Sequence, residues 1–300
     1  MERNPDCGPA GGRPIIVLGA GGMLATALVD VLRDQGRNWM ALSVSELDIT
    51  RKDQVDTVIK GLHPGIIINT AAYTDVDGAE SEAQTAFEIN GVGAGNVAHT
   101  ASQVDATIVH ISTDYVFDGR KDGSYLPGDS INPINVYGKS KLEGENLVRE
   151  KAQKHMILRT SWLFGPDGKN FVRTMLELGR SRSTLDVVND QTGSPTYTRH
   201  LAIAILDLAD RGATGTCHIT NTGSCTWCVF AREIFRQSGM DVQVSPVTTE
   251  AFPRPAARPR NSVLDCSSTY ELLGGPLPSW QTALGEYLEE IGERTGAQFP

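Results

Sequence analysis

Basic charge is in short supply. The 300-residue chain carries 27 Lys and Arg against 36 Asp and Glu, a formal net charge of −9. A nucleic-acid binder needs a basic face for the phosphate backbone, so nucleic acid is excluded as the main partner, although a local basic pocket for a phosphorylated small molecule is not. Long apolar runs are missing too. None approaches the ~18–20 residues of a membrane span, so no membrane partner is expected. The opening stretch, "MERNPDCGPAGGRP", has no apolar signal core and is expected to be a short disordered lead over 1–13. Cysteine is sparse and odd in number, at five. That fits a reduced, cytoplasmic protein rather than a disulfide scaffold. Cys225 and Cys228 form one CxxC with no second pair at zinc spacing, so packing is the expected role.

What is present is an ordinary globular composition, 40% hydrophobic and 21% charged, enough for a sizeable core. The first half alternates short apolar runs with helical patterns. Strands are expected at 14–20, 38–43, 65–73, 106–113 and 154–165, with helices at 23–36, 51–63, 82–104 and from Val136. Strands this apolar are buried on both faces, as in a parallel sheet. The alternation implies βαβ units and a doubly wound α/β fold of Rossmann type. A nucleotide-binding domain is expected over 14–168, with segments around 186–222 returning to it. Residues 169–300 should form a smaller, partly interleaved substrate lobe.

The first strand runs into "GAGGML", with Gly19, Gly22, Met23 and Leu24 at the turn and Ala25 in the third small position. A glycine turn between a first strand and a first helix lets backbone N–H groups reach a pyrophosphate. NAD-specific sites carry an acid at the end of the second strand. Here that place falls near Ser43, which is neutral, so NADPH and NADH are both expected to serve, with a lean to NADPH. Asp48, beside Ile49, could accept from the adenine amino group or cap the next helix. Ala71, Ala72 and Tyr73 end the third strand and should line the ligand crevice.

The fourth strand ends in "STDYVFDG", and "VYGKSKLEGE" follows, placing Tyr137 and Lys141 four residues apart on one helix face. Thr113, Tyr137 and Lys141 would then meet beside a bound nicotinamide. An ammonium near the phenol, together with the cofactor's positive ring, should lower its pKa and let Tyr137 protonate a carbonyl oxygen, which Thr113 would also hold. Lys141 would also bind ribose hydroxyls. Asp114 and Tyr115 share that edge.

Tyr-x-x-x-Lys after a glycine-rich turn resembles the extended short-chain dehydrogenase/reductase family. The stretches "NTAAYTDVDGAE", "STDYVFDG", "YGKSKLEGE", "RTSWLFGPDGKNFV", "NDQTGSPTYTRHLA" and "RPRNSVLD" resemble its dTDP-4-dehydrorhamnose reductase branch, from about Arg13 to the C-terminus. The resemblance implies reduction of the 4-keto group of dTDP-4-dehydro-L-rhamnose with NADPH or NADH. It also implies substrate-pocket roles for Trp162 and Asn170. Arg258, in a proline-held loop, could grip a diphosphate. Related dehydratases carry Glu where Tyr115 stands, so elimination chemistry is disfavoured. Two rivals stay open. One is a reductase of another nucleotide 4-keto-sugar. The other is a non-catalytic NADP-binding subunit like the regulatory subunit of methionine adenosyltransferase, which would have no need of a proton donor. Some family members hold Mg2+ at an acidic homodimer contact, which leaves a metal and a homodimer open here.

Overall fold

A computed structural model describes residues 2–3 and 12–295. The expected disordered lead is corrected at both ends. Glu2–Arg3 forms β1, and the Arg13 guanidinium is tied to the Pro64 carbonyl at 2.5 Å and the His63 carbonyl at 3.2 Å. The rest of that stretch, residues 1 and 4–11, lies outside the described residues.

The alternation read from the sequence is present. In chain order come β2 (Ile15–Leu18), α1 (Met23–Asp34), β3 (Trp39–Leu42), α2 (Lys52–Leu62) and β4 (Ile66–Asn69). Next are α3 (Gly78–Ser81), α4 (Ala83–Phe87), a π-helical turn (Glu88–Gly93), α5 (Ala94–Gln103), β5 (Thr107–Thr113), α6 (Val136–Lys151) and β6 (His155–Thr160). The remainder supplies β7 (Leu163–Phe164), α7 (Phe171–Gly179), β8 (Thr184–Val188), β9 (Thr192–Gly193), β10 (Thr196–Tyr197), α8 (Thr198–Asp210) and β11 (Gly215–His218). The chain closes with β12 (Cys225–Thr226), α9 (Trp227–Ser238), β13 (Gln243–Val247), α10 (Ser267–Leu273) and α11 (Trp280–Thr295).

The main sheet has the order β1-β3-β2-β4-β5-β6-β11, parallel except for β1 against β3. Strand β2 shows why it is central: its four residues, Ile-Ile-Val-Leu, are all buried. Ile15 and Val17 pack into one core with α1 and α8, while Ile16 and Leu18 pack into another with α2 and α5. Apolar side chains on both faces of one strand are what a doubly wound sheet requires. Strand order reverses at β2, between β3 and β4, and a crevice opens at such a switch point.

A third core joins Phe164, Val172, Leu176, Phe230, Phe235, Trp280, Leu284 and Tyr287, from β7, α7, α9 and α11. Cys225 and Cys228 are both buried in it. The expected return to the main sheet around 186–222 splits in two. Asp186–Val188 belong to β8, which pairs with β13, whereas α8 packs on α1 and β11 extends the main sheet beside β6.

Two other expectations change. The long helix expected over 82–104 runs over 83–103 and passes through a π turn at Glu88–Gly93. The turn lies close against its neighbours: a Cβ on Gly91 would lie 2.9 Å from Glu143, and one on Gly93 2.7 Å from Ile49. The fifth strand, expected whole over 154–165, is interrupted at Trp162, whose φ of +48° lies in the left-handed region.

Candidate active site

The crevice is a cavity of about 1000 Å³ along the C-terminal ends of β2, β3, β4 and β5. At its floor Gly19 and Gly21 have φ of +90° and +87°. A Cβ on Gly19 would lie 2.8 Å from the Ala71 nitrogen, so only glycine lets the two strand ends meet. Gly22 begins α1 and offers no capping side chain. The leading N–H groups of α1, with their partial positive charge, are therefore suited to a diphosphate. These features fit a dinucleotide. Gly19, Gly22, Met23, Leu24, Asp48, Ile49, Ala71 and Ala72 all line the cavity, as the sequence reading expects.

Ser43 and Tyr73 do not line it. The Ser43 backbone N–H and hydroxyl both donate to Glu46, at 2.9 and 2.7 Å. The strand end therefore carries a carboxylate after all, delivered from three residues downstream. Tyr73 is held through its backbone by Asn90, with its hydroxyl beside Gly78. Nor does Asp48 cap α2: it accepts from the Thr50 N–H at 3.0 Å and hydroxyl at 2.7 Å, and Arg51 is the residue at the cap.

Thr113, Asp114, Tyr115, Tyr137 and Lys141 line the same cavity. Asn135 caps α6, accepting from the Gly138 N–H at 2.7 Å, and starts the helix one residue before Tyr137. Gly138 lets α6 press against the strand end, where a Cβ would lie 2.2 Å from the Tyr115 carbonyl oxygen. Thr113 hydrogen-bonds the Tyr137 phenol and donates to Asp114 at 3.0 Å. The rings of Tyr115 and Tyr137 meet edge to face, centroids 5.8 Å apart.

The Lys141 ammonium does not by itself lower the Tyr137 pKa. Burial pushes the phenol up to about 12. The Lys141 ammonium is directed to the Ile111 carbonyl, at 2.7 Å, and is itself lowered by burial to about 8, against the opposing charge of Glu145. Burial likewise raises Asp114 to about 6.

Trp162 lines the cavity and stacks on Trp227 at 3.4 Å, 5° from parallel. Asn170 does not reach it. Its side-chain oxygen accepts from the Arg173 N–H at 3.0 Å and its nitrogen donates to the Gly165 carbonyl at 2.9 Å, which makes it the cap of α7. Arg258 lines an adjoining cavity of about 590 Å³ with Tyr115, Trp227, Arg182 and Arg254. Its guanidinium pairs with Asp77 at 2.6 Å, so the loop is anchored rather than a plain linker. Among the described residues, no group of three or more His, Cys, Asp or Glu side chains could hold a metal ion.

Several supporting residues escaped the sequence reading. Buried Asn90, placed by the π turn, bonds both Tyr73 and the Ser140 hydroxyl. Glu145 accepts from Ser112 at 2.5 Å, beside Thr113. Glu145 was findable, four residues after Lys141 on the same helix face. Asn135 had the signal of a helix start. Trp227 had none.

The chain can now be set beside known proteins. It is 43% identical over 283 residues to the dTDP-4-dehydrorhamnose reductase of Aggregatibacter actinomycetemcomitans, covering 90% of this chain and 96% of that one. It superposes on the dTDP-4-dehydrorhamnose reductase of Bacillus anthracis, solved in complex with NADP, with a TM-score of 0.90 at 43% identity, covering 93% and 99% of the two chains. A UDP-glucose 4-epimerase of Thermus thermophilus, 18% identical, shares the fold with a TM-score of 0.79 and covers 93% of this chain and 98% of its own. The family model described as the RmlD substrate binding domain matches residues 13–293, and the chain belongs to that family, the dTDP-4-dehydrorhamnose reductases.

Proposed function

We propose that the chain reduces the 4-keto group of dTDP-4-dehydro-L-rhamnose, with NADPH or NADH, to give dTDP-L-rhamnose. The observation that carries this is the meeting of Thr113, Tyr137 and Lys141 in the glycine-floored cavity, in a chain 43% identical to enzymes of that name.

When bound, the reduced nicotinamide supplies a hydride to the carbonyl carbon. Tyr137 holds the proton for the carbonyl oxygen. At neutral pH a phenol raised to about 12 carries that proton, as a donor must. Thr113 gives the same oxygen a second hydrogen bond. Lys141 supplies the positive charge that steadies the phenolate left behind, and solvent returns the proton. Tyr115 and Trp162 shape the sugar pocket, and Arg258 faces the adjoining cavity, where a substrate diphosphate would meet a guanidinium. A reaction that consumes reduced nicotinamide belongs in the cytoplasm, where that pool is kept.

A panel of dTDP- and UDP-4-keto-sugars with both cofactors tests this, followed by loss of reduced-nicotinamide absorbance. The dTDP-4-keto-L-sugar should turn over fastest. Tyr137→Phe should fold, bind cofactor and lose about 10²–10⁴ of kcat. Unchanged turnover in that variant would overturn the assignment of the proton donor.

A further inference from the structure

The stretch 252–260 brings Arg254 and Arg258 to the smaller cavity but belongs to no helix or strand. Its far end is fixed. Gly119, with φ of +78°, lies against it so closely that a Cβ would be 2.6 Å from the Arg260 nitrogen, and the Arg260 carbonyl accepts from the Thr192 N–H at 2.8 Å. The part that carries Arg258 is held instead by side chains from the first half of the chain. Asp77 accepts from the Ala256 N–H at 3.2 Å and from the Arg258 guanidinium at 2.6 Å. Asn135 donates its amide N–H to the Ala257 carbonyl at 2.7 Å. The two holders are joined in turn, because Glu80 of α3, which follows Asp77, accepts from the Val136 N–H at 2.9 Å. Asn135 is buried, and both ends of its amide are used. Its oxygen caps α6 by accepting from the Gly138 N–H at 2.7 Å, two residues before Tyr137. A single amide thus fixes both the start of the helix that carries Tyr137 and the loop that carries Arg258.

We propose that Asn135 is a positioning residue for substrate binding: through the Ala257 carbonyl it holds the Arg258 loop in its binding conformation, in register with the helix of the proton donor. This rests on the reading that Arg258 meets the substrate diphosphate. An exposed loop with no ladder of its own loses conformational entropy whenever a ligand orders it, and that loss weakens binding. A bond made before the ligand arrives removes the loss. Capping alone does not call for asparagine, since serine and aspartate cap a helix about as well. The second bond does, because an aspartate has no N–H to give and a serine is too short to reach Gly138 and Ala257 together.

The test compares wild type with Asn135→Ser, Asn135→Asp, Arg258→Gln and the double variant Asn135→Ser/Arg258→Gln, all in the full chain. Calorimetry measures dTDP binding, nicotinamide fluorescence measures NADPH binding, and steady-state kinetics give kcat and KM for the 4-keto sugar. Both Asn135 variants keep the cap and should bind NADPH as wild type does. Both should bind dTDP more weakly and show a higher KM, each on the order of 10-fold, the worth of one lost hydrogen bond. Their kcat should fall by less than their KM rises. Because Asn135 acts through the placement of Arg258, its replacement should add little once the guanidinium is gone. Weakened dTDP binding in Arg258→Gln beside wild-type binding in both Asn135 variants would overturn the role of Asn135 alone. So would an Asn135→Ser penalty of the same size with and without Arg258, which is what a general loss of structure produces. Wild-type dTDP binding in Arg258→Gln would overturn the diphosphate reading, and the proposal with it.

Discussion

Glu145 and Arg159 share two hydrogen bonds, Nε to Oε1 at 2.8 Å and Nη2 to Oε2 at 2.7 Å, with both side chains out of contact with water. The pair joins α6 to β6. The Ser112 hydroxyl and the Arg149 guanidinium complete the carboxylate, at 2.5 and 2.7 Å. Ser112 precedes Thr113 on β5, and Lys141 stands one helical turn before Glu145. One buried anion thus steadies the strand and the helix that supply the proposed catalytic residues, and offsets part of the burial penalty on Lys141.

Removing one partner of this pair should be costly. Arg159→Leu leaves Glu145 buried with Arg149 as its remaining cation and should cost about 3–5 kcal/mol, read from guanidinium denaturation. The pH dependence has a definite sign. Its partners, despite burial, hold Glu145 at about 2, below the ordinary 4.5, so its stabilisation is full above 4.5 and is lost as pH falls toward 2. A loss under about 1 kcal/mol would mean that the pair contributes little.

Lys141 should impose an alkaline limit on turnover. Burial lowers it from 10.5 to about 8, and the groups facing it are Glu145 on its own helix and the neutral, buried His110 on β5. Turnover needs the ammonium, so kcat/KM should fall as pH rises through about 8. Folding responds in the opposite sense. The unfolded chain keeps this proton up to 10.5, so the penalty of burying the charge is relieved between about 8 and 10.5. A pH–rate profile that stays flat across that range would contradict this assignment.

Gly193 should be a seat for Trp162. A Cβ there would lie 2.4 Å from the indole, and Trp162 is already pressed on Trp227 in a left-handed backbone conformation. Gly193→Ala should move the indole and lower kcat/KM for the nucleotide sugar on the order of 10- to 100-fold, with cofactor binding unchanged. Equal kinetics in the two proteins would remove Trp162 from the pocket argument.

Dehydration should be absent. Where a carboxylate would serve as base stands Tyr115, a phenol that burial pushes above its ordinary value, which leaves it protonated at neutral pH. Incubation with dTDP-glucose and NAD⁺ should give no 4-keto-6-deoxy product. With the 4-keto-L-sugar, substrate and reduced cofactor should disappear in equal amounts. Formation of the 4-keto-6-deoxy sugar with no net change in cofactor would count against simple reduction.

Local chemistry made much of this legible in the sequence. Short apolar runs such as Ile15–Leu18, bounded by turn residues, read as buried strands, and glycines 19, 21 and 22 after a first strand have one main use in an alternating fold. Four-residue spacing puts Tyr137 and Lys141 on one helix face whatever surrounds them. What the sequence could not settle were the contacts made across distance. Asn170 reads like a pocket residue, but both ends of its amide are spent capping α7. Tyr137 reads as activated by its neighbour, but in the folded chain burial of the phenol prevails.

The sequence by itself determined the alternation of elements, the glycine floor and the shared helix face of Tyr137 and Lys141, since each depends on a period or a spacing within a few residues. Only the tertiary structure decided which charges face which groups. Glu46 returns to the end of β3 through a turn whose closure is a backbone hydrogen bond. Arg159 reaches Glu145 because β5 and β6 lie side by side and α6 packs against both. Electrostatic energy depends on distance and burial, and neither is a property of position along the chain.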